Sequence, residues 1–171
     1  MKNPTNDGEH RFDPGQFTLE NFLPYRLSLL TNTISQGIAE RYRKNHDISI
    51  TEWRILAVLG GFAGLSASEV VERTAMDKVA ISRAVKCLEE KGLLERRIDP
   101  SDRRRQSLYI TPDAGQAVLN EVVPLAQGYE SALLSALDAN EIKGLLGIMT
   151  KLQRGATELN ECNKLGSPTA N

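Results

Sequence analysis

The stretch from Ser66 to Thr111 constrains the fold most, because it orders two short helices and two short strands with little chain between them. Ser66-Ala67-Ser68-Glu69 fits a capping box, which marks the start of the first helix. Asp77 can cap the second helix, and Lys91-Gly92 is typical of its end, where a cation and a glycine are favoured. Two helices separated by so short a turn predict a helix-turn-helix.

The apolar spacing of these two helices predicts which of their faces are buried. The residues expected to face inward are Val70, Val71 and Ala75 in the first helix and Ile81, Ala84, Val85 and Leu88 in the second. The opposite side of the second helix carries small and polar residues, namely Lys78, Val79, Ala80, Ser82, Arg83 and Lys86.

A basic hairpin is expected after the second helix. Leu93–Arg96 and Gln106–Ile110 have the composition and alternation of paired strands. The loop between them contains Arg103–Arg105, and Asp102 is expected to order this loop by pairing with one of these arginines. A helix-turn-helix followed by a basic hairpin is the arrangement that a winged DNA reader needs.

Positive charge is concentrated in this part of the chain. Residues 78–106 contain nine basic and five acidic side chains, although the formal charge of the whole chain is −1. A major groove admits one α-helix, and narrow minor grooves attract arginine. We expect major-groove contacts from Lys78, Ala80, Ser82, Arg83 and Lys86, minor-groove or phosphate contacts from Arg103, Arg104 and Arg105, and phosphate contacts from Ser66 and Ser68. The alternative is a dimeric winged-helix adaptor that binds protein.

The segment before the helix-turn-helix is also helical. Apolar residues recur at spacings of three and four from Leu19 to Tyr42, and Thr18 is a candidate N-cap. Pro24 implies that the regular helix begins near that residue or is kinked there. A capping box at Ser49–Glu52 predicts a second helix to about Leu59, broken by the following glycines, with an inward face of Trp53, Leu56 and Ala57.

Two further helices are expected after the hairpin. Thr111-Pro112 is a strong start signal for the first of them, and Pro124 predicts a kink or a break within it. Asp138 opens the last helix, whose apolar pattern fades after Leu159. The apolar stripes of the N-terminal helix and of these two C-terminal helices are larger than a small winged domain could cover, so they predict a dimer interface. The alternative is a self-contained helical core.

The expected fold is mainly α, a winged helix-turn-helix with a two-strand wing plus N- and C-terminal helices that form a dimerisation region. Its expected parts are a flexible N-terminal arm at residues 1–17, a helical dimerisation region at 18–48 and 112–162, a winged DNA-binding domain at 49–111, and a flexible tail at 163–171.

Three segments resemble the MarR family of transcriptional regulators, and the resemblance extends over about residues 19–160. These segments are Leu88–Leu94, Asp99–Arg105 and Leu108–Pro112, and the Asp-x-Arg of the wing falls on Asp102 and Arg104. The resemblance implies a homodimer that reads the two halves of a pseudo-palindromic operator and is released from DNA by a small ligand.

The resemblance also implies a ligand pocket between the dimerisation helices and the winged domain. Aromatic residues with one arginine would suit an aromatic or phenolic acid, or its coenzyme A thioester. The candidate lining residues are Phe22, Tyr25, Arg26, Leu29, Thr33 and Trp53. Tyr25 and Trp53 could equally be core residues.

Other classes of protein find little support in the sequence. Cys87 and Cys162 form no metal or disulfide pattern, no catalytic motif surrounds the two histidines, and neither enzymatic activity nor a cofactor is expected. Redox-sensing relatives carry a cysteine near the start of the first helix; this chain does not, and Cys87 is expected to be a buried packing residue. No long apolar run predicts a membrane span, so a cytoplasmic protein is expected.

Overall fold

The computed structural model of the chain describes residues 17–98 and 106–165. The predicted mainly helical fold with a two-strand wing is confirmed. In chain order the elements are a 3₁₀ turn (Leu19–Asn21), α1 (Leu23–Tyr42), α2 (Ile50–Gly61), α3 (Ala67–Thr74), α4 (Lys78–Glu90), β1 (Leu94–Ile98), β2 (Gln106–Ile110), α5 (Ala114–Leu134) and α6 (Ala139–Leu165). The chain forms two compact units, Met1–Ala126 and Gln127–Asn171, whose boundary lies within α5.

Local capping bonds place the starts of α2, α3 and α4. The capping boxes predicted at Ser49 and Ser66 are both present, with each serine hydroxyl accepting from the backbone N–H three residues later and each glutamate accepting in return. The Asp77 carboxylate accepts from the N–H groups of Val79 and Ala80 at 2.9 and 3.1 Å. These helices therefore begin where the sequence predicts.

One buried cluster holds the first unit together. Its members come from the end of α1, from α2 to α4, from both strands and from the first half of α5, and they include Tyr42, Ile55, Leu56, Leu59, Val70, Ile81, Ala84, Val85, Leu88, Leu94, Leu108 and Val122. The inward stripe predicted for α4 is confirmed. The first turns of α5 pack closely on this cluster, since a Cβ at Gly60 of α2 would lie 2.7 Å from the Leu119 side chain.

Two alanines predicted to face inward are exposed instead. Ala57 lies outside the α2 stripe, which is Glu52, Ile55, Leu56 and Leu59. Ala75 is the residue that ends α3, and its left-handed backbone (φ 51°, ψ 32°) turns the chain away from the helix. Alanine gives a weak burial signal because its side chain is small.

The helix ends differ from the sequence expectations at several prolines and glycines. Pro24 lies in the first turn of α1, where its missing N–H is not needed, so the alternative of a helix beginning near Pro24 is confirmed. Thr18 precedes the 3₁₀ turn and makes no side-chain capping bond, so the predicted N-cap is wrong. α2 continues two residues past the expected end at about Leu59 and ends at Gly61, within the run of glycines predicted to break it.

The last two helices are longer than their sequence patterns imply. α5 continues through Pro124, so a break there is wrong. It begins at Ala114, two residues later than predicted, although the Thr111 hydroxyl still accepts from the N–H of Gly115 at 2.8 Å. α6 continues to Leu165, beyond the point where its apolar pattern fades and into the predicted tail.

The wing is an antiparallel pair in which Leu94 is opposite Ile110 and Ile98 is opposite Gln106. A short bridge adds the α2–α3 connection to its inner edge: Gly64 N–H donates to the Leu108 carbonyl at 3.1 Å, and Leu108 N–H donates to the Leu65 carbonyl at 2.8 Å. β2 matches its predicted span, whereas β1 begins one residue later and extends to Ile98. None of the described helices has the length and hydropathy needed to cross a membrane.

Candidate nucleic-acid interface

The outward face of α4 brings most of the predicted major-groove residues together. Lys78, Ser82, Arg83 and Lys86 are exposed, and Ala80 is half-buried at the edge of this face. The opposite face of the same helix is packed into the core. The burial of one side of α4 therefore fixes which side is presented to solvent.

The cations of this face are largely unpaired. Within residues 17–98 and 106–162, neither Lys78 nor Arg83 forms an ion pair. Lys86 Nζ lies 3.7 Å from a carboxylate oxygen of Glu90, and both side chains are well exposed. An exposed pair of this kind is worth about 0–1 kcal/mol, so it would give way readily to a phosphate.

The N-terminal ends of α3 and α4 offer a phosphate fewer free backbone N–H donors than a helix N-terminus usually does. The Asp77 carboxylate already occupies two N–H groups in the first turn of α4, so this end is not open to a phosphate. Ser66 caps α3 by accepting from Glu69 N–H at 3.3 Å, which leaves its own O–H available as a donor. Ser68 is exposed in the first turn of α3.

Two arginines on the wing strands are held in place by neighbouring residues. Arg96 donates to both carboxylate oxygens of Glu89 at 3.0 and 3.1 Å and to Gln106 at 2.8 Å. Its hydrogen bonds with Glu89 outweigh its partial burial and raise the pKa of Arg96. Arg97 donates to Glu95 at 2.9 Å, and its guanidinium lies over the Tyr109 ring at 4.2 Å. Part of the local positive charge is thus neutralised. The predicted tip residues Asp102 and Arg103–Arg105 lie outside the described residues.

A buried ionic cluster joins the start of α2 to the end of α4. Glu52 is only 4% exposed, and Lys91 Nζ donates to its carboxylate at 3.0 Å and also to the carbonyl of Asp47. Burial by itself raises the pKa of Glu52, but bonds from the Ser49 N–H, the Cys87 thiol and Lys91 outweigh burial, and the pKa lies below its ordinary value. The cluster therefore fixes the C-terminal end of α4.

Sequence reasoning missed this cluster. Glu52 and Lys91 were each identified singly, as a capping residue and as a helix-end cation, but no sequence signal joins residues 39 positions apart. The expectation that Cys87 is buried was also wrong: it is half-buried, and its hydrogen bond to the Glu52 carboxylate, together with desolvation, raises the pKa of the thiol. Cys162 is exposed.

The candidate ligand residues fall into two environments. Those on α1 are exposed, namely Phe22, Tyr25, Arg26, Leu29 and Thr33. The Phe22 ring packs 5.4 Å from that of Phe17, and the Thr33 hydroxyl donates to the Leu29 carbonyl at 2.9 Å. Trp53 instead packs against the core cluster, with its ring 6.2 Å from that of Tyr42. The described residues include no acidic, histidine or cysteine group of three or more that could hold a metal.

Comparison with known proteins agrees with this geometry. The sequence profile of the MarR family matches residues 46–105, which include α2 and the helix-turn-helix. The chain aligns structurally with a MarR/EmrR family transcriptional regulator from Acinetobacter sp. ADP1, with a TM-score of 0.76 and 26% identity, covering 83% of this chain and 99% of that one. The matched region of this chain, residues 46–105, therefore belongs to the MarR family.

Two further proteins are similar to this chain, one in sequence and one in fold. A protein assigned as the transcriptional regulator for the hcr operon of Thauera aromatica is 33% identical over 104 residues, and the match spans 61% of this chain and 62% of that protein's length. The fold is also that of Bordetella bronchiseptica BpsR, with a TM-score of 0.71, 22% identity and coverage of 81% and 98%. DNA binding by BpsR is regulated by 6-hydroxynicotinic acid.

Proposed function

We propose that this MarR-family protein is a homodimeric, sequence-specific DNA-binding regulator, a repressor that a small aromatic ligand releases from its operator. The observation that carries the proposal is the outward face of α4, where exposed Lys78, Ser82, Arg83 and Lys86 lie opposite a fully packed face. A helix held by one side and polar on the other can enter a major groove without loss of core packing.

The electrostatics of this face favour nucleic acid over a protein partner. Lys78 and Arg83 have no carboxylate partner among the described residues, and the exposed pair of Lys86 is weak. Each cation that neutralises a phosphate releases condensed counterions, so affinity should fall steeply as salt rises. A protein-binding adaptor would not be expected to bind duplex DNA with this salt dependence.

A salt titration with random-sequence duplex DNA tests the proposal. The wild-type protein is expected to bind at low salt and to lose affinity steeply toward physiological salt. Arg83→Ala is expected to weaken binding, by about 1–3 kcal/mol on a preferred sequence if the guanidinium contacts one base bidentately. Lys44→Ala is the matched control and should bind DNA as the wild type does, because Lys44 is an exposed cation on the α1–α2 connection, away from the outward face of α4 in the sequence. Absence of binding at low salt would contradict the proposal and favour the adaptor.

A homodimer is supported by apolar surface left exposed in each unit. In the first unit the exposed residues of the 3₁₀ turn and α1 include Leu19, Phe22, Leu23, Leu27, Leu29 and Leu30. In the second unit those of α6 include Leu145, Leu146, Ile148, Met149, Leu152 and Leu159. Stripes of this kind mark interaction surfaces, and two-fold association would present two winged domains at half-sites about 34–36 Å apart. Sedimentation equilibrium should give twice the chain mass.

The proposed ligand is an aromatic acid or its coenzyme A thioester. Arg26 supplies a planar cation for a carboxylate, and the rings of Phe22 and Tyr25 on the same helix supply apolar area. Leu29, Thr33 and Trp53 are the remaining candidates, although core packing of Trp53 makes it the weakest of them. The regulation of BpsR by an aromatic acid adds support for this class of ligand.

A panel of hydroxylated aromatic acids and their thioesters, added to a labelled protein–DNA complex, tests this choice. At least one compound is expected to lower the anisotropy of the DNA. Arg26→Lys keeps the positive charge but removes the bidentate fork, so it should lose the response to acids while binding DNA normally. Release that is equal in wild type and variant would remove Arg26 from the ligand site.

A further inference from the structure

Val79 is the one strongly exposed aliphatic residue of α4. It is 54% exposed, whereas Ile81, Val85 and Leu88 on the same helix are at most 1% exposed. At 3.6 residues per turn, position 79 lies opposite the centre of the buried stripe, on the same line as Arg83 and Lys86. An apolar side chain therefore occupies the middle of the basic face that the proposed function places in the major groove.

Helix stability gives no reason for a valine at this position. A β-branched residue loses rotamer freedom in a helix, and at a solvent-facing site burial does not offset that loss. Its backbone N–H is held by Asp77, so the side chain is carried on a well-defined first turn. Isolated exposed apolar residues are common on protein surfaces, but Val79 lies at the centre of a face whose other exposed residues, Lys78, Ser82, Arg83 and Lys86, are polar.

We propose that Val79 contacts the 5-methyl group of a thymine in the major groove and so helps to determine sequence selectivity. This inference rests on the proposed DNA-binding function. A valine side chain can neither donate nor accept a hydrogen bond, so the only base-edge group that it suits is the thymine methyl. Cytosine lacks that methyl group, and the polar edges of purines would be desolvated without compensation.

Arg83 defines where this thymine lies in the half-site. Val79 and Arg83 are separated by four residues, or about 6 Å along the helix axis. This distance corresponds to roughly two base-pair steps of DNA at about 3.4 Å each. If Arg83 contacts guanine through O6 and N7, the preferred half-site contains a guanine and a thymine about two base pairs apart.

The experiment begins with enrichment of bound sequences from a random duplex library by the full-length protein. Each thymine of the preferred duplex is then replaced by deoxyuridine, which pairs identically and lacks only the methyl group. Wild-type protein is expected to bind one substituted duplex about fourfold more weakly, the effect of one buried methyl group. Val79→Ala, which removes both γ-methyl groups, should show a smaller penalty for deoxyuridine than the wild type.

Arg83→Ala provides the matched control, because it should lose discrimination at guanine and keep the penalty for deoxyuridine. Val79 is exposed, so Val79→Ala should retain the thermal midpoint of the wild type. Tolerance of deoxyuridine at every position would overturn the role of Val79 while leaving DNA binding intact. A penalty of undiminished size in Val79→Ala would overturn it as well, since another residue would then read the methyl group. Failure to enrich any sequence would overturn both proposals.

Discussion

The winged part of the chain, α2 to β2, and the last helix, α6, are both rich in aliphatic residues, but only the first buries them. Leu88 of α4 is fully buried, whereas Leu146, Ile148 and Met149 of α6 are each more than half exposed. No described side chain of α6 is buried. The winged part thus has its core within a single chain, and α6 leaves its apolar side chains available to another surface.

The largest expected effect comes from substitution of a core leucine in the winged part. Leu88→Ala should lower the free energy of unfolding by about 2–5 kcal/mol, because it removes buried methyl groups and leaves a cavity. Urea denaturation should show this loss at every protein concentration. Leu146→Ala is the matched change in α6, and its effect should appear only at concentrations at which the proposed dimer forms. An equal loss of stability for Leu146→Ala in dilute protein would show that Leu146, like Leu88, is packed within a single chain.

A smaller effect is expected at the buried carboxylate. Because hydrogen bonds hold the pKa of Glu52 below its ordinary value, Glu52 stabilises the fold above the ordinary carboxylate range and loses this contribution as the pH falls through the lowered pKa. Glu52→Gln should cost about 1.5–3 kcal/mol at neutral pH and should flatten the acid side of the stability curve.

The control for Glu52 lies in α6, where Arg154 and Glu158 form an exposed pair at 3.8 Å. Glu158→Gln should change the stability little at any pH, since exposed pairs are screened by solvent. An unchanged acid limb in Glu52→Gln, measured by thermal melts from neutral to acidic pH, would show that this carboxylate is not responsible for acid sensitivity.

The smallest effects, of opposite sign, are expected from two glycines. A Cβ at Gly115 would lie 2.2 Å from the backbone carbonyl oxygen of Leu93, so Gly115→Ala should lower stability by about 1–3 kcal/mol. A Cβ at Gly144 of α6 would meet nothing within 4 Å, so Gly144→Ala should raise stability by about 0.5–1 kcal/mol. Thermal melts of the two variants measure both signs, and destabilisation by Gly144→Ala would show that α6 is crowded at that position.

Local signals account for what could be predicted from the sequence. The capping boxes at Ser49 and Ser66 act within four residues, and the stripe of α4 repeats over three turns, so these elements and their inward faces were predictable. The exposed polar face of α4 followed directly from that stripe. Its assignment to DNA contacts stays a prediction.

The errors arise where distant residues decide the outcome. Pro124 removes one helical hydrogen bond, yet α5 continues because the flanking Val122, Val123 and Leu125 still pack on the core. Lys91 meets Glu52 only because α2 and α4 are packed together. A count of charges likewise does not show which cations are free, because Arg96 pairs with Glu89 across the helix–strand junction.

The two hydrogen bonds between the α2–α3 connection and Leu108 have a mechanical consequence. They attach the inner end of the wing to the loop that leads into α3, at 3.1 and 2.8 Å, so a pivot of the hairpin at its base would break both bonds. A movement of the loop that leads into α3 would therefore be transmitted to the base of the wing through these two bonds.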